Sequence, residues 1–401
     1  MEYRAITDAE FDAFARVDVI AFGQAPFAPD DPFGFARSEL DRTRAAFVGD
    51  DIVGAGRNYS LELTVPGGAI VPAAGVSWIS VLPTYRRRGV LRGMLAALRE
   101  DAIAHGEAFS ILTASEGGIY GRFGYGVATL RMLLHVERVH SAFAMPVVDD
   151  GRIRYVDRAD ALARFPQVYA RACPLRPGMV SRPDAWWEET LFHIAPPDKG
   201  CFFVVHEGTD GVADGFLTYE IVGDFSTGIN RSRLQVLDLI TLSAQVRAAL
   251  WQFAFSVDLV ESIGARQVPV DDPLRFLLAD VRRLHVDAMA DGLWVQILDV
   301  ERALEARRYP TADRIVLEIH DGSTLTRVAL DGGPDGAQCK TTTAEPDVVL
   351  GLSQLGSIFL GGVRAEQHAA AGTVEERTPG AIARVDAMFA SYPLPASPTW
   401  F

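Results

Sequence analysis

Val76-Ser77-Trp78-Ile79-Ser80-Val81-Leu82-Pro83-Thr84-Tyr85-Arg86-Arg87-Arg88-Gly89-Val90-Leu91 joins an apolar run to a basic turn. A helical pattern follows, with apolar residues at Leu91, Met94, Leu95, Leu98 and Ala102. A second apolar run, Phe109 to Leu112, leads into Ser115-Glu116-Gly117-Gly118-Ile119-Tyr120-Gly121-Arg122-Phe123-Gly124-Tyr125-Gly126. Strand, basic turn, helix, strand, glycine-rich turn is the order of a phosphate-binding α/β unit. The first backbone N–H groups of a helix have no partner inside it, and the helix dipole there favours an anion. Gly89 has no Cβ, so the backbone can come close to a ligand. Arg86, Arg87 and Arg88 add positive charge at the same end. A diphosphate fits such a turn; a solvated arginine cluster at a helix start is the other reading. No Gly-Lys-Ser/Thr follows, which excludes a Walker loop, and the three glycines of a dinucleotide fingerprint are missing.

The run Arg86 to Leu91 resembles the acetyl-CoA pyrophosphate loop of the GNAT acetyltransferases. Ser115 to Gly126 is similar to one branch in particular, the Eis (enhanced intracellular survival) acetyltransferases, and the resemblance extends more weakly along the whole chain. Leu91 stands where the generic loop often has a small residue, a departure from the superfamily but not from the Eis branch. The resemblance implies an α+β (mixed α/β) protein of three parts. A GNAT domain would cover residues 1–145, and a central GNAT-like domain without cofactor 146–290. A sterol-carrier-protein-like domain would cover 291–401, with its C-terminal tail returning to the active site. It also implies acetyl-CoA as co-substrate, no metal, and a homo-oligomer, a hexamer in that family.

Composition agrees with a soluble globular chain. There are 401 residues, enough for two or three domains, with 49% hydrophobic and 22% charged. The net charge of −14 argues against nucleic-acid binding. It suits either simple solubility or the attraction of small cations to acidic clefts. Cys173, Cys201 and Cys339 are odd in number and far apart, so neither a disulfide framework nor zinc spacing is present. The eight histidines form no His-Glu-x-x-His. The start, Met1-Glu2-Tyr3-Arg4, is not apolar, and no long apolar run follows. A reduced, cytoplasmic protein without membrane or nucleic-acid partners is expected.

Along the chain, Tyr3 to Ile6 reads as a strand. Thr7 or Asp8 caps a helix to about Phe22, with Phe11, Phe14, Val17 and Ile20 on one face. A glycine- and proline-containing loop follows, carrying Phe27, Asp30, Asp31, Phe33 and Phe35. In a GNAT fold it lies over the acceptor site, so Phe27, Asp30 and Asp31 are candidate substrate contacts; a loop packed on the core with two solvated acids is the alternative. Arg44 to Val48, Asp51 to Leu63 and Ile70 to Val81 read as antiparallel strands, and Val127 to Val136 as a last strand of the first domain. In the central part, Asp160 to Arg171 is helical with a break or restart at Pro166. Strands at Cys201–Glu207, Gly215–Val222 and Leu234–Leu239 and a helix from Ser243 echo the first domain without the Arg-Arg-Arg-Gly turn. Arg176-Pro177-Gly178 and Trp186-Trp187 resemble family landmarks, the tryptophans reading as packing. The last part reads as strands and helices from Leu293 to Phe389, from which no sterol binding follows.

Acetyl transfer from a thioester to an amine requires a held cofactor, a neutral amine, a polarised carbonyl and a protonated leaving thiolate. Arg86, Arg87, Arg88, Gly89, Val90 and Leu91 are candidates for the diphosphate, with Ser115 and Glu116 beyond the next strand. The backbone of Ile79, Ser80 and Val81 can pair with the pantetheine arm. By resemblance Tyr120, at the start of a short helix, is the general acid; a phenol with a pKa of about 10 stays protonated at neutral pH. Tyr125 is the structural tyrosine. The strand Trp78 to Val81 carries no acid to act as base. In the Eis family the C-terminal carboxylate serves, and this chain ends at Phe401. Trp400 stands where some relatives have an acid, which bears on amine binding. The tail Tyr392 to Phe401 carries three prolines and two terminal aromatics, the pattern of a stiff segment docked on another domain.

The sequence thus points to an acetyl-CoA-dependent N-acetyltransferase of small-molecule amines, aminoglycoside-like or polyamine acceptors by resemblance. A protein or peptide lysine acetyltransferase and a non-catalytic acyl-CoA or lipid-binding protein are the alternatives.

Overall fold

A computed structural model describes residues 1–25, 33–194, 200–226 and 228–401. The candidates Phe27, Asp30 and Asp31 lie outside the described residues. Met1–Thr129, Gly292–Ser391 and Trp400–Phe401 form one compact unit, and Leu130–Asp291 with Tyr392–Thr399 form another.

The chain begins with β1 (Glu2–Arg4), α1 (Phe11–Phe22), β2 (Ala45–Val48), β3 (Asp51–Thr64), β4 (Ile70–Val81), α2 (Val90–Ala104), β5 (Phe109–Thr113), α3 (Gly117–Tyr120), β6 (Gly126–Val127) and β7 (Leu130–Glu137). Then come β8 (Arg152–Val156), α4 (Arg158–Ala172), α5 (Asp184–Ile194), β9 (Cys201–Glu207), β10 (Ala213–Val222), β11 (Arg233–Thr241), α6 (Ala244–Ser256), β12 (Ser262–Pro269), α7 (Leu274–Leu277) and β13 (Leu284–Asp291). The remainder is β14 (Leu293–Ile297), α8 (Val300–Ala306), β15 (Asp313–Asp321), β16 (Thr324–Gly333), β17 (Gly336–Thr341), β18 (Val348–Gly351), α9 (Leu352–Phe359), α10 (Ala365–Ala370), β19 (Val374–Glu376) and α11 (Ala381–Phe389). Among the described residues the strands make three sheets, ordered β1-β2-β3-β4-β5-β14-β6, β13-β7-β12-β11-β10-β9-β8 and β17-β16-β15-β18-β19.

Two strands sit in a different sheet from the one their sequence neighbourhood suggests. The run Val127–Val136 splits: β6 pairs with β14 in the first sheet, while β7 pairs with β12 and β13 in the second. β14 lies between β5 and β6. Helix α9 packs on this edge at very close range, because a Cβ on Gly126 would collide with the backbone of Ser353 and Ser357. Ser357 Oγ donates to the Val127 carbonyl at 2.7 Å. That contact joins the third sheet's helices to the first sheet within one unit.

In the first sheet, β3 and β4 form a long hairpin from Thr64↔Ile70 to Gly54↔Val81. Its register breaks where Ala55 faces Ser80 but Arg57 faces Ser77. Trp78 and Ile79 therefore oppose the single Gly56, a β-bulge, with Trp78 at φ 58°. β4 runs parallel to β5 only over Ala73↔Phe109, Ala74↔Ser110 and Gly75↔Ile111. Beyond Gly75 the two strands part, and β4 continues to Val81. Helix α1 buries Phe11, Phe14 and Val17 as its period requires, but Ile20 is 44% exposed and Val19 takes the buried place. Phe14 stacks on Trp78 at 5.8 Å, which ties α1 to the bulge. Arg42 is buried between Asp101 and Glu107, at 3.1 and 2.6 Å, and fixes the far end of α2 to the sheet. A buried guanidinium is tolerated there because it is fully paired.

The second sheet repeats this layout. β10 and β11 are antiparallel with a register shift between Thr218 and Tyr219, opposite Asp238 and Val236. β11 then runs parallel to β12 over Arg233↔Ser262 to Val236↔Ala265 before they part. Helix α4 is continuous through Pro166 rather than broken there. Asp157 caps it, and the Phe165–Phe216 stack at 4.1 Å holds the turn where proline removes one backbone bond.

Candidate active site

The parting of β4 and β5 opens a cleft of about 380 Å³ in the first unit. One wall is the bulged strand, Val76 to Ile79, beyond its last pairing with β5; Thr113 and Ser115 line the opposite wall, with Tyr120. Asp18, Phe22 and Gln24 come from α1 and its end, and Trp400 and Phe401 from the tail.

The loop after β4 is shaped by two left-handed residues, Arg87 at φ 62° and Gly89 at φ 82°. Gly89 is the N-cap of the 15-residue helix α2 and offers no capping side chain, so the first N–H groups of that helix stay open. A Cβ on Gly89 would meet nothing within 4 Å. Arg86, Arg87, Arg88 and Gly89 are exposed, while Val90 is buried and Leu91 half-buried. Arg86 turns back to the Ala21 carbonyl at 3.2 Å, and Arg88 lies over Tyr85. An open helix start and exposed guanidinium groups suit a diphosphate. Ser115 and Glu116 are exposed at the far end of β5.

Tyr120 is the last residue of the one-turn α3, not its first. It is buried, packed against Tyr125 at 6.0 Å and Trp294 at 6.4 Å, yet lines the cleft. Burial pushes its hydroxyl up to about 12, and the Glu116 carboxylate adds to the shift. The phenol is therefore protonated throughout the neutral range. Tyr125 is directed elsewhere, its hydroxyl 2.6 Å from Ser110 Oγ.

Asp18 is the residue that sequence reasoning missed. It is half-buried, and loss of water pushes its carboxyl up to about 6, with the Ser80 hydroxyl pulling it down. Between Val17 and Val19 it reads as one solvated position of an amphipathic helix. Only the packing of α1 on the bulge brings it to the cleft. At the other end, the Phe401 ring lies against Gly75, where the strands part; a Cβ there would come within 3.1 Å of it. Trp400 is 47% exposed. Among the described residues no group of His, Cys, Asp or Glu could hold a metal ion, and no helix is long and apolar enough to cross a membrane.

A bulged strand that parts from its parallel neighbour, followed by a basic loop and a helix, is the architecture of a GNAT acetyltransferase. Residues 2–128 match the family model described as an acetyltransferase (GNAT) domain, and 178–300 match a second model of that description. Residues 300–396 match the sterol carrier protein domain. The N-acetyltransferase Eis of Mycobacterium tuberculosis is 36% identical over 355 residues, covering 86% of this chain and 84% of that one. An uncharacterized N-acetyltransferase of Streptomyces griseus is 34% identical over 418 residues, covering all of both. The crystal structure of Eis1 from Mycobacterium abscessus superposes with a TM-score of 0.89 at 31% identity over the full length of both chains. The chain belongs to the Eis family of N-acetyltransferases, enzymes of the GNAT class, which use acetyl-CoA.

Proposed function

We propose that this acetyltransferase transfers the acetyl group directly to one amine of a small acceptor carrying at least two amines, of the polyamine or aminoglycoside type. The convergence of Asp18, Tyr120 and Phe401 on one cleft carries this reading. Acetyl-CoA supplies the acetyl thioester. Arg87, Arg88, Gly89 and the open start of α2 hold the diphosphate, and the backbone of Ile79 to Val81 holds the arm. The α-carboxylate of Phe401 takes the proton from the attacking amine. As the nitrogen bonds to the carbonyl carbon and the carbon–sulfur bond breaks, the Tyr120 hydroxyl gives its proton to the departing sulfur.

A panel of amines assayed for CoA thiol release tests the reading. Polyamines and aminoglycosides are expected to turn over with kcat/KM well above that of a lysine peptide. A lysine peptide as the best acceptor would make this a protein acetyltransferase. No thiol release with any amine, together with lipid binding, would make it a binding protein.

Asp18 is the partner of the acceptor's second, charged amine. A carboxylate short of water gains a charge-assisted bond from an ammonium group. Asp18→Asn is expected to raise the acceptor KM by about 10- to 100-fold at pH 7.5, the loss of one such bond. Acetyl-CoA affinity should be unchanged. The wild-type acceptor KM should also rise as pH falls through about 6, where Asp18 takes up its proton, and the variant should lack that rise. A monoamine acceptor should be nearly indifferent to the substitution. Equal losses for monoamine and diamine would exclude the pairing.

A further inference from the structure

The second unit carries a cavity of its own, of about 430 Å³, at the end of β11, the start of α6 and the segment after Ser391. Every residue that lines it belongs to that unit. Most of the wall is apolar, with Met179, Leu239, Ile240, Pro273, Ala396 and Pro398 among its residues. The four charged side chains that line it are matched two by two. Arg176 pairs with Asp271 at 2.7 Å, and Asp271 also accepts from the Leu394 N–H at 2.9 Å. Arg247 pairs with the buried Asp272, which accepts from the Leu274 N–H at 2.8 Å. An ion entering this cavity would lose water and find each opposite charge already engaged.

A much smaller void, of about 20 Å³, adjoins the cavity; Leu239, Arg247, Gln267 and Pro398 border both. Trp251 and Gln267 line this void. Trp251 is 1% exposed, and its Nε1 has no hydrogen-bond partner among the described residues. Gln267 Oε1 is buried and likewise without one. The first atom can only donate and the second only accept. Trp251 stands four residues after Arg247 on α6, so the two side chains share a face of that helix. Gln267 lies on β12 just beyond Ala265, the last residue paired with β11. A buried donor and a buried acceptor left unmet cost free energy, and one group that accepts from the first and donates to the second recovers it. A void of this size takes a single oxygen-sized group.

We infer that the second unit holds a binding site for a small uncharged alcohol with an apolar body. The hydroxyl oxygen accepts from Trp251 Nε1 and donates its proton to Gln267 Oε1, while the carbon chain lies in the larger cavity. An alkylamine is an ammonium ion at neutral pH and has no lone pair to accept from the indole. A carboxylate has no proton for Gln267, and both arginines of the wall are paired. The site shares no residue with the acetyl-transfer cleft.

The test is titration of the full chain at neutral pH with n-hexanol, and with n-hexylamine and hexanoate as charged counterparts of equal chain length. Calorimetry reads affinity, and NMR follows the indole N–H resonances. Hexanol is expected to bind saturably and to shift the resonance that is missing from Trp251→Phe. The two ions should bind at least about 10-fold more weakly. Gln267→Met keeps the length of the side chain and removes the acceptor. It should weaken hexanol binding by about 2- to 10-fold, the loss of one hydrogen bond. Ala244→Trp fills the rim from an exposed position at the start of α6 and should abolish binding. Acetyl-CoA affinity should be unchanged in both variants, which separates loss of this site from loss of folding. Hexanol that fails to saturate, or that leaves the Trp251 resonance where it was, would overturn the site and leave water as the partner of both atoms. Equal affinity for hexanol and hexylamine, or an affinity indifferent to Gln267→Met, would overturn the assignment to an alcohol.

Discussion

Tyr120→Phe is expected to lower kcat by about 10²–10⁴-fold, the usual effect of removing a positioned general acid, while acetyl-CoA affinity stays at the wild-type value. The ring is fixed by Tyr125 and Trp294 and buried in the cleft wall, so removing one oxygen leaves the packing as it was. What is lost is a proton donor beside the cleft. Burial, with Glu116 adding, holds that donor up to about 12. It therefore remains protonated from acid through mildly alkaline pH, and no fall in wild-type kcat below about pH 11 should trace to its ionisation. Sulfur leaves more readily as the thiol than as the bare thiolate, so the step most affected is carbon–sulfur cleavage. An acceptor with a less basic amine should suffer at least as much, because its attack contributes less to expelling sulfur. Tyr125→Phe is the control. Its hydroxyl is engaged with Ser110, so that change should cost about 1–3 kcal/mol of stability and leave kcat within a few-fold of wild type. A reversed pattern, with Tyr120→Phe active and Tyr125→Phe dead, would move the acid to Tyr125.

The strand–loop–helix unit around Arg86 is legible in the sequence because its signals are local. An apolar run, a proline, a basic turn with glycine and a helical period lie within thirty residues. The long hairpin β3–β4 is legible for the same reason, having a Pro66-Gly67-Gly68 turn between two alternating runs. The bulge is not. Nothing in Ser77-Trp78-Ile79-Ser80 marks Trp78 for a left-handed backbone, since the bulge is set by pairing with β3 across Gly56. Asp18 is hidden for a related reason: its place in the cleft depends on how α1 packs on that bulge. The strand exchange at β7 and β14 depends on partners more than 100 residues away, whereas the pattern Val127–Val136 reads as one uninterrupted strand. Pro166 misleads in the opposite direction, because tertiary packing of Phe165 and the Asp157 cap carry the helix past a residue that would break it in isolation. The tail's aromatics and prolines announce a docked segment, but no local pattern marks Arg182, whose Nε donates to Thr399 Oγ1 at 3.0 Å, as its partner.

Extending the chain by a few residues after Phe401 should reduce kcat at pH 7 by about 10²–10⁴-fold, with acetyl-CoA binding and thermal stability retained. The extension moves the carboxylate while keeping Trp400 and Phe401, so packing of the Phe401 ring against Gly75 is preserved. β4 offers no alternative, since Ser77, Trp78, Ile79, Ser80 and Val81 include no acid. Asp18 does offer one, and the two carboxylates separate by what each would control. An aliphatic amine with a pKa near 10 is neutral in only about one molecule in a thousand at pH 7, and the neutral fraction rises tenfold per pH unit. An enzyme without its base must draw on that fraction. The extended variant should therefore climb with a slope near one in log kcat against pH, while the wild type stays flatter, and the gap should close towards pH 10. Loss of Asp18 should act on acceptor KM instead. If the extended chain keeps full turnover while Asp18→Asn loses kcat with that same rising profile, then Asp18 is the base and Phe401 only a wall of the cleft. Deleting Phe401 cannot decide this alone, because it removes the ring and shifts the carboxylate together. The extension changes one thing at a time, so the slope of its pH profile distinguishes a base from a plug.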